Sequence, residues 1–235
     1  MTDDAEIRIE SLLDGARRAA GAVAVIDVLR AFTTAAVAFA NGADRIVMVA
    51  DVDEALRLRA VGGGQICMGE VKGRAPDAFD FGNSPFELSR ADLRGKTVIQ
   101  RTSAGTQGIV ATIAAECRYA AALVTARSTA RALLATRQSR ITLVAMGLDD
   151  GSRTDEDELC ALHLRNLLRG QSGDVEAVRR LIRASGQAMK YRYAVGRHLH
   201  PEDLDIALDV DRYDFAIRVD IEEGRPVARR DIPPS

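Results

Sequence analysis

The stretch VIDVLRAFTTAA, residues 25–36, joins two kinds of sequence. It starts inside an apolar run, residues 22–28, whose unbroken hydrophobicity predicts a buried strand. It continues into a run of small residues that predicts a helix over 31–41. Asp27 and Arg30 lie at the junction, followed by two threonines. The stretch therefore predicts a strand-to-helix connection with charged side chains at the carboxyl end of the strand.

The same alternation of strand and helix continues through residue 169. Strands are predicted over residues 22–28, 45–50, 65–68, 96–101, 120–125 and 140–146. Helices are predicted over residues 31–41, 52–60, 105–117, 127–136 and 155–169. Most of the strands are continuously apolar, as expected for strands covered on both faces. The pattern predicts an α/β fold, a three-layer α/β/α arrangement with a mostly parallel or mixed central sheet.

The pattern changes after Gly170. Two further helices are predicted, one ending at Gly186 and one with Pro201 near its first turn, followed by a strand with a turn at Glu223–Gly224. No linker rich in Ser, Gly or Pro separates this part from the rest. We therefore predict one domain over residues 1–235, in which 171–235 packs on the same core.

Composition excludes several classes of protein. The formal net charge is −2, which offers no bulk attraction for nucleic acid. No apolar run approaches the roughly 20 residues that span a bilayer, and the acidic N-terminus lacks a signal-peptide core. We expect a cytoplasmic protein, and a homodimer is neither required nor excluded. The three cysteines are far apart, and His198 and His200 are interpreted as partly exposed residues before a helix, so no zinc site is expected.

Four polar clusters fall at the ends of predicted strands, where ligands bind in sheets of this type. In the first, Asp27 suits a hard cation and Arg30 suits phosphate, or the two form a local ion pair. The second, residues 68–85, is a long loop that is either functional or an ordinary surface loop in which Ser84 caps a helix beginning at Pro85. Its candidate residues are Glu70, Lys72, Arg74, Asn83 and Ser84.

The third and fourth clusters have similar alternatives. The third, RTSAGTQG at 101–108, either binds an anion or caps a helix, and it lacks the P-loop pattern. Its candidate residues are Arg101, Thr102, Ser103, Gly105 and Thr106. In the fourth, Glu156 or Asp157 is a candidate magnesium ligand, whereas Thr154 with Asp157 also resembles a capping box. Cys160 is interpreted as a buried apolar residue and not as a nucleophile.

Carboxylates, arginines and anion-binding loops together suit phosphoryl-group hydrolysis or transfer with Mg²⁺. A non-catalytic binding protein or sensor for a phosphorylated metabolite would have the same kinds of residues and would not need a metal. A dinucleotide-dependent oxidoreductase is disfavoured, because the glycine run at 62–64 precedes a strand instead of following one.

The ordered motifs DVLRAFTT (27–34), G-E-x-x-G (69–73), F-D-x-GNSP (79–85), T-x-x-GT (102–106) and E-D-x-x-C-A (156–161) resemble the 2-phosphosulfolactate phosphatase family. A weaker resemblance continues to the C-terminal part, so nearly the whole chain is covered. The resemblance implies a magnesium-dependent phosphatase with an α/β/α fold that converts 2-phosphosulfolactate to 3-sulfolactate on a route to coenzyme M. Two positions differ: Ala104 stands where the family more often has Asn, and Val71 where it often has Arg.

The expected enzyme is therefore a hydrolase of a small anionic phosphorylated substrate. Asp27, Glu70 and Asp157 are the predicted catalytic carboxylates and metal ligands. The predicted substrate-binding residues are Arg30, Arg74, Asn83, Ser84, Arg101, Thr102, Ser103, Gly105 and Thr106. Attack by water and attack by a carboxylate such as Asp27 both stay open.

Overall fold

A computed structural model describes residues 5–193 and 198–234. The strands are β1 (Glu6–Ser11), β2 (Gly21–Ile26), β3 (Arg45–Val49), β4 (Ile66–Gly69), β5 (Thr97–Arg101), β6 (Ala115–Ala121), β7 (Arg140–Ala145), β8 (Ala216–Glu222) and β9 (Arg225–Asp231). The helices are α1 (Leu12–Arg18), α2 (Ala31–Ala40), α3 (Val52–Ala60), α4 (Pro85–Leu88), α5 (Gly105–Ala111), α6 (Ala126–Ala135), α7 (Asp155–Leu168), α8 (Val175–Arg183), α9 (Gly186–Arg192) and α10 (Pro201–Ala207).

The nine strands form one mixed sheet in the order β1-β7-β2-β6-β8-β9-β3-β5-β4. Two parallel blocks, β1-β7-β2-β6 and β3-β5-β4, flank the antiparallel hairpin of β8 and β9. The hairpin joins each block through antiparallel pairing. The predicted α/β class with a mostly parallel, mixed sheet is thus confirmed.

The two parallel blocks of the sheet run in opposite directions. Three antiparallel steps separate β6 from β3, so a flat sheet would point the carboxyl ends of the two blocks in opposite directions. Yet Asp27, which follows β2, and Glu70, which follows β4, line the same cavity. The ends of β2 and β4 thus meet at one cavity although their blocks run in opposite directions, as the rotation between adjacent strands of a sheet allows.

Helices cover both faces of the sheet and bury β2 completely. Val23 and Val25 point into a core shared with α2 and α5, whereas Ala22, Ala24 and Ile26 point into a second core shared with α6 and α7. This two-sided burial explains why β2 is apolar at every position instead of at alternate ones. The burial of β2 also determines where the following turn begins, and Asp27 lies in that turn.

Several predicted boundaries differ from the structure. The helix predicted over 105–117 ends at Ala111, and β6 begins at Ala115, so the strand predicted over 120–125 starts too late and ends too late. Residues 123–125 form a short 3-10 helix. The alanine-rich sequence of residues 115–121 is compatible with either a helix or a buried strand. These residues form a strand because they pair with β2.

The ends of the chain also differ from the prediction. β1 and α1 were not predicted, because the short segment EIRIES alternates weakly and lies at the sheet edge. The helix predicted to end at Gly186 stops at Arg183, and Gly186 begins α9. The turn at Glu223–Gly224 is confirmed as the link between β8 and β9. One domain over residues 1–235 stays a prediction, although C-terminal strands lie in the middle of the common sheet.

Candidate active site

A cavity of about 500 Å³, here called the main cavity, opens beside the ends of β2 and β4. It collects residues from all four predicted polar clusters, the fourth of them through Asp149 and Asp150. The predicted residues that line it are Asp27, Arg30, Glu70, Lys72, Asn83 and Ser103. A second cavity of about 490 Å³, the side cavity, shares Arg30 and Asn83 with it and adds Arg74 and Ser84. The remaining predicted residues, Arg101, Thr102, Gly105, Thr106 and Asp157, line neither cavity.

Asp27 lies in the turn between β2 and α2 and is 6% exposed. One carboxylate oxygen accepts a hydrogen bond from the backbone N–H of Ala31 at 3.0 Å, and the N–H of Gly105 also donates to the carboxylate. Burial raises the pKa of Asp27 to about 6, and the charge of Glu70 acts in the same direction, against the two hydrogen bonds and Arg30. Asp27 therefore exchanges a proton close to neutral pH.

Gly105 lets the start of α5 approach Asp27. A Cβ atom at residue 105 would lie 2.8 Å from a carboxylate oxygen of Asp27 and 2.8 Å from Cβ of Ala31. The role predicted for Gly105 as part of an anion-binding turn stays a prediction. What the structure shows is a glycine that is required for the close contact between α5 and the Asp27 turn.

Gly105→Ala is expected to destabilise the fold by about 1–3 kcal/mol, the usual cost of overpacking a tight interior. Urea unfolding measures the change. Gly186→Ala is the matched control, because Gly186 also begins a helix but has no atom within 4 Å of its added Cβ. Equal stability of the two variants would show that the space beside Asp27 is not tight.

Glu70 connects two of the loops that border the main cavity. It follows Gly69, whose φ of +136° and closeness to the carbonyl oxygen of Arg101 exclude a side chain there. The Glu70 carboxylate accepts hydrogen bonds from the N–H groups of Gly73 and Ser103, both at 2.5 Å, and from the Ser103 hydroxyl at 3.1 Å. One carboxylate thus sets the relative position of its own loop and the β5–α5 loop.

Asp157 lies behind the Asp27 turn, on the buried side of α7. Its two oxygens accept backbone hydrogen bonds from Val28 at 2.8 Å and Gly147 at 2.9 Å. Burial raises its pKa well above the usual range, and the charges of Asp27 and Glu156 add to this effect. Asp157 therefore ties α7 to two strand-end turns. The capping-box alternative is wrong, since Thr154 is the N-cap residue but makes no side-chain cap hydrogen bond.

Glu156 is the neighbouring acid in α7 and is 2% exposed. Among the described residues, one of its carboxylate oxygens has no hydrogen-bond partner. Burial raises its pKa to about 7, and Asp27 contributes to the shift. Several buried carboxylates thus disfavour one another's charge here, which is the situation that a divalent cation relieves.

The donor set fits a hard cation only in part. Within residues 5–193 and 198–234, no group of three Asp, Glu, His or Cys side chains is arranged to hold a metal by itself. Mg²⁺ commonly uses one or two carboxylates together with waters and substrate phosphate oxygens. Asp27 and Glu70, which both line the main cavity, match that smaller requirement.

The β5–α5 cluster bonds mainly to the protein itself. Arg101 donates to the carbonyl oxygens of Ala50 at 3.2 Å and Glu70 at 2.7 Å. Thr102 and Thr106 each donate a backbone N–H to the other's hydroxyl, at 2.8 and 3.0 Å. In the structure these three side chains hold strand ends and the start of a helix, and they are not directed into the main cavity.

Sequence reasoning missed a group of residues supplied by the C-terminal part. Gln187, Lys190 and Tyr191 of α9, together with His198, line the main cavity. Burial and the neighbouring Arg30 and Arg74 lower the pKa of His198, which disfavours the protonated ring. The weak resemblance over residues 185–196 was the one signal, since nothing in the strand pattern places α9 at this edge. Lys190 adds a cation opposite the predicted loops.

This chain is similar in sequence to known proteins of one family. A family model described as 2-phosphosulpholactate phosphatase matches residues 8–219. Proteins named probable 2-phosphosulfolactate phosphatase are similar to this chain, including one from Bacillus subtilis that is 31% identical over 71% of this chain and 73% of its own length. One from Thermotoga petrophila is 33% identical over 64% of each chain, and one from Carboxydothermus hydrogenoformans is 40% identical over 48% and 47%.

The aligned region spans less than two thirds of the Thermotoga and Carboxydothermus proteins. Within the described residues, no helix is long and apolar enough to cross a membrane. The family model nevertheless covers most of the chain, including every segment that lines the main cavity. The chain therefore belongs to the 2-phosphosulfolactate phosphatase family.

Proposed function

We propose that this protein is a magnesium-dependent phosphatase that hydrolyses 2-phosphosulfolactate, or a closely related phosphorylated acid, to 3-sulfolactate and phosphate. The observation that carries the proposal is the main cavity, in which Asp27 and Glu70 face Arg30, Lys72 and Lys190. Family membership supports the same reaction. The product would enter a route to coenzyme M, and the cytoplasmic location and the homodimer stay predictions.

The reaction exchanges one P–O bond for another. Water forms a bond to phosphorus, the bond from phosphorus to the substrate carbon's oxygen breaks, and one proton passes from the water to the leaving oxygen. Asp27 is placed to accept the water proton, because its carboxylate lines the main cavity beside Arg30. Arg30, Lys72 and Lys190 offset the charge of the phosphate and of the acid groups.

Asp27 and Glu70 would hold Mg²⁺, and the buried carboxyl group of Asp157 lies behind the Asp27 turn. When bound, the ion neutralises charge on phosphate oxygens and orients the group for displacement. Asn83 is 6% exposed, and its side-chain oxygen has no partner among the described residues. That oxygen can accept only from a donor such as water, so substrate oxygens would accept from the side-chain NH₂ of Asn83.

Attack by Asp27 itself is the alternative to attack by water. Rapid acid quench during turnover of ³²P-labelled substrate separates the two. Radioactivity that stays with the denatured protein and is released by hydroxylamine shows an aspartyl phosphate. Its absence during a pre-steady-state time course assigns the attack to water.

Removing divalent metal is expected to abolish phosphate release and to lower Tm. At a Mg²⁺ concentration 100 times its Kd, binding stabilises the fold by about 2.7 kcal/mol, or about 5–10 °C in Tm for a chain of this size. The test is phosphate release from 2-phosphosulfolactate, 2-phospholactate and 3-phosphoglycerate in EDTA and in a Mg²⁺ titration, with NaCl at matched ionic strength as control. No effect of Mg²⁺ on either readout would refute the metal requirement, and no turnover of any substrate would favour the sensor alternative.

A further inference from the structure

Behind Arg30 lies a carboxylate that no part of the proposed reaction uses. Asp203, in the first turn of α10, is 0% exposed. One of its oxygens accepts a hydrogen bond from Nη1 of Arg30 at 3.0 Å. The other accepts from the hydroxyl of Ser84 at 2.6 Å and from the backbone N–H of Phe86 at 3.1 Å. Asp203 thus joins three segments that are distant in sequence.

The segments of Arg30 and Ser84 border both cavities. Arg30 lines the main and the side cavity, and Ser84 lines the side cavity next to Asn83, which lines both. Asp203 lines neither cavity, so its contact with substrate would be indirect. Asp203 instead contacts Arg30 and Ser84, which line the cavities, from the protein interior.

The Arg30 guanidinium needs such a support because only 4% of the residue is exposed. A buried arginine without a counter-ion is costly, and in the described part of the chain Asp203 is its one salt-bridge partner. The same Nη1 also donates to the carbonyl oxygen of His198 at 2.9 Å, and Cζ lies 5.7 Å from the centre of the Tyr191 ring. These contacts hold the guanidinium in one orientation before any ligand arrives.

We propose that Asp203 is a positioning residue, which orients Arg30 to bind an anionic group of the substrate. The inference rests on the proposed function, because it deepens the account of the same site. A preoriented arginine binds an anion with less loss of side-chain entropy than a mobile one. Asp203 therefore contributes to substrate affinity without touching the substrate.

Asp203→Asn tests the proposal. Asparagine keeps the shape and one acceptor for Ser84 and Phe86, but removes the charge that pairs with Arg30. The expected result is a rise in KM of about 10-fold or more, with kcat changed much less. This combination is expected when a lost contact had stabilised the bound substrate and the transition state equally. Asp205→Asn is the matched control, since Asp205 lies in the same helix and pairs with Arg183 on the surface. It is expected to leave KM unchanged.

A second readout separates this inference from the reaction itself. The affinity for inorganic phosphate, measured by calorimetry, is expected to fall for Asp203→Asn and not for Asp205→Asn. Absence of turnover by the wild-type protein would refute the proposed function, whereas the phosphate affinities would still test Asp203. Unchanged phosphate affinity and KM in folded Asp203→Asn would refute the role of Asp203.

A double-mutant cycle distinguishes positioning from general support of the fold. If Asp203 acts through Arg30, then Arg30→Gln with Asp203→Asn has the same KM and phosphate affinity as Arg30→Gln alone. The double variant also removes both buried charges, so it keeps the test valid where the single Asp203→Asn does not fold. A further loss of affinity in the double variant, relative to Arg30→Gln, would overturn the proposal.

Discussion

Asp27→Asn is expected to lower kcat by about 10³-fold or more. General-base catalysis typically contributes about 10²- to 10⁴-fold, so the loss of the base alone accounts for an effect of this size. Asparagine keeps the size of the side chain and an acceptor for the Ala31 N–H, but it cannot take a proton from water, and it is a weak ligand for Mg²⁺ and a poor nucleophile. The loss is therefore expected whether Asp27 acts as base, as nucleophile or through the metal. The acid-quench experiment with ³²P-labelled substrate separates the nucleophile role from the other two.

The same substitution is expected to leave the metal-free protein at least as stable at pH 8. The pKa of Asp27 rises from 3.8 in the unfolded chain to about 6 in the fold, so above pH 6 its charge costs about 3 kcal/mol of stability. The folded state binds the proton more tightly, and the cost therefore grows as pH rises from about 4 to 6 and is absent below pH 4. Asparagine removes this cost and introduces a donor facing the Gly105 N–H, which offsets part of the gain.

Urea unfolding in EDTA at pH 5 and pH 8 measures this effect, and a continuous phosphate assay measures kcat. The stability of Asp27→Asn relative to wild type is expected to improve from pH 5 to pH 8. Asp53→Asn, at an exposed position in the first turn of α3, is the control and should change neither quantity. Undiminished turnover by Asp27→Asn would remove Asp27 from the chemistry.

Local pattern predicted the strand ends and much of the candidate site. Asp27, Glu70 and Asn83 each follow a strand or lie in a loop that the sequence marks as polar, and the structure places all three around one cavity. Strand polarity and turn chemistry are local properties, which explains why they are readable without coordinates. Ser84 is a second case, since its hydroxyl accepts the Glu87 N–H as the predicted cap of α4.

The features of the site that the local sequence pattern did not predict depend on contacts between segments that are distant in sequence. Arg101 was assigned to substrate because arginines at strand ends often bind anions, yet its donors meet the carbonyl oxygens of neighbouring strand ends. Asp203 meets Arg30 and Ser84 only because α10 packs against α4, and His198, shortly before α10, lines the main cavity. The meeting of the β2 and β4 ends at one cavity likewise depends on the order of the strands in the sheet, which no single segment encodes.

Glu70→Gln is expected to lower kcat by about 10²-fold or more and, unlike Asp27→Asn, to destabilise the fold. The three donors that converge on Glu70 come from Gly73 and Ser103, and each requires an acceptor. Glutamine replaces one acceptor oxygen with an NH₂ group that faces a donor. Leaving a part-buried N–H unpaired costs about 1–3 kcal/mol, and the loss separates the two loops that Glu70 connects.

Measuring kcat and urea unfolding on Glu70→Gln and Asp77→Asn tests this expectation. Asp77 lies exposed in the same loop, so its substitution controls for a general effect of removing a negative charge there. The two site carboxylates are expected to respond in opposite ways. Asp27 is buried against other acids, so neutralising it relieves repulsion, whereas Glu70 is the acceptor on which two loops depend. A Glu70→Gln variant as stable as wild type would show that the loops keep their arrangement without the carboxylate, and its residual kcat would then report the chemical contribution of Glu70 alone.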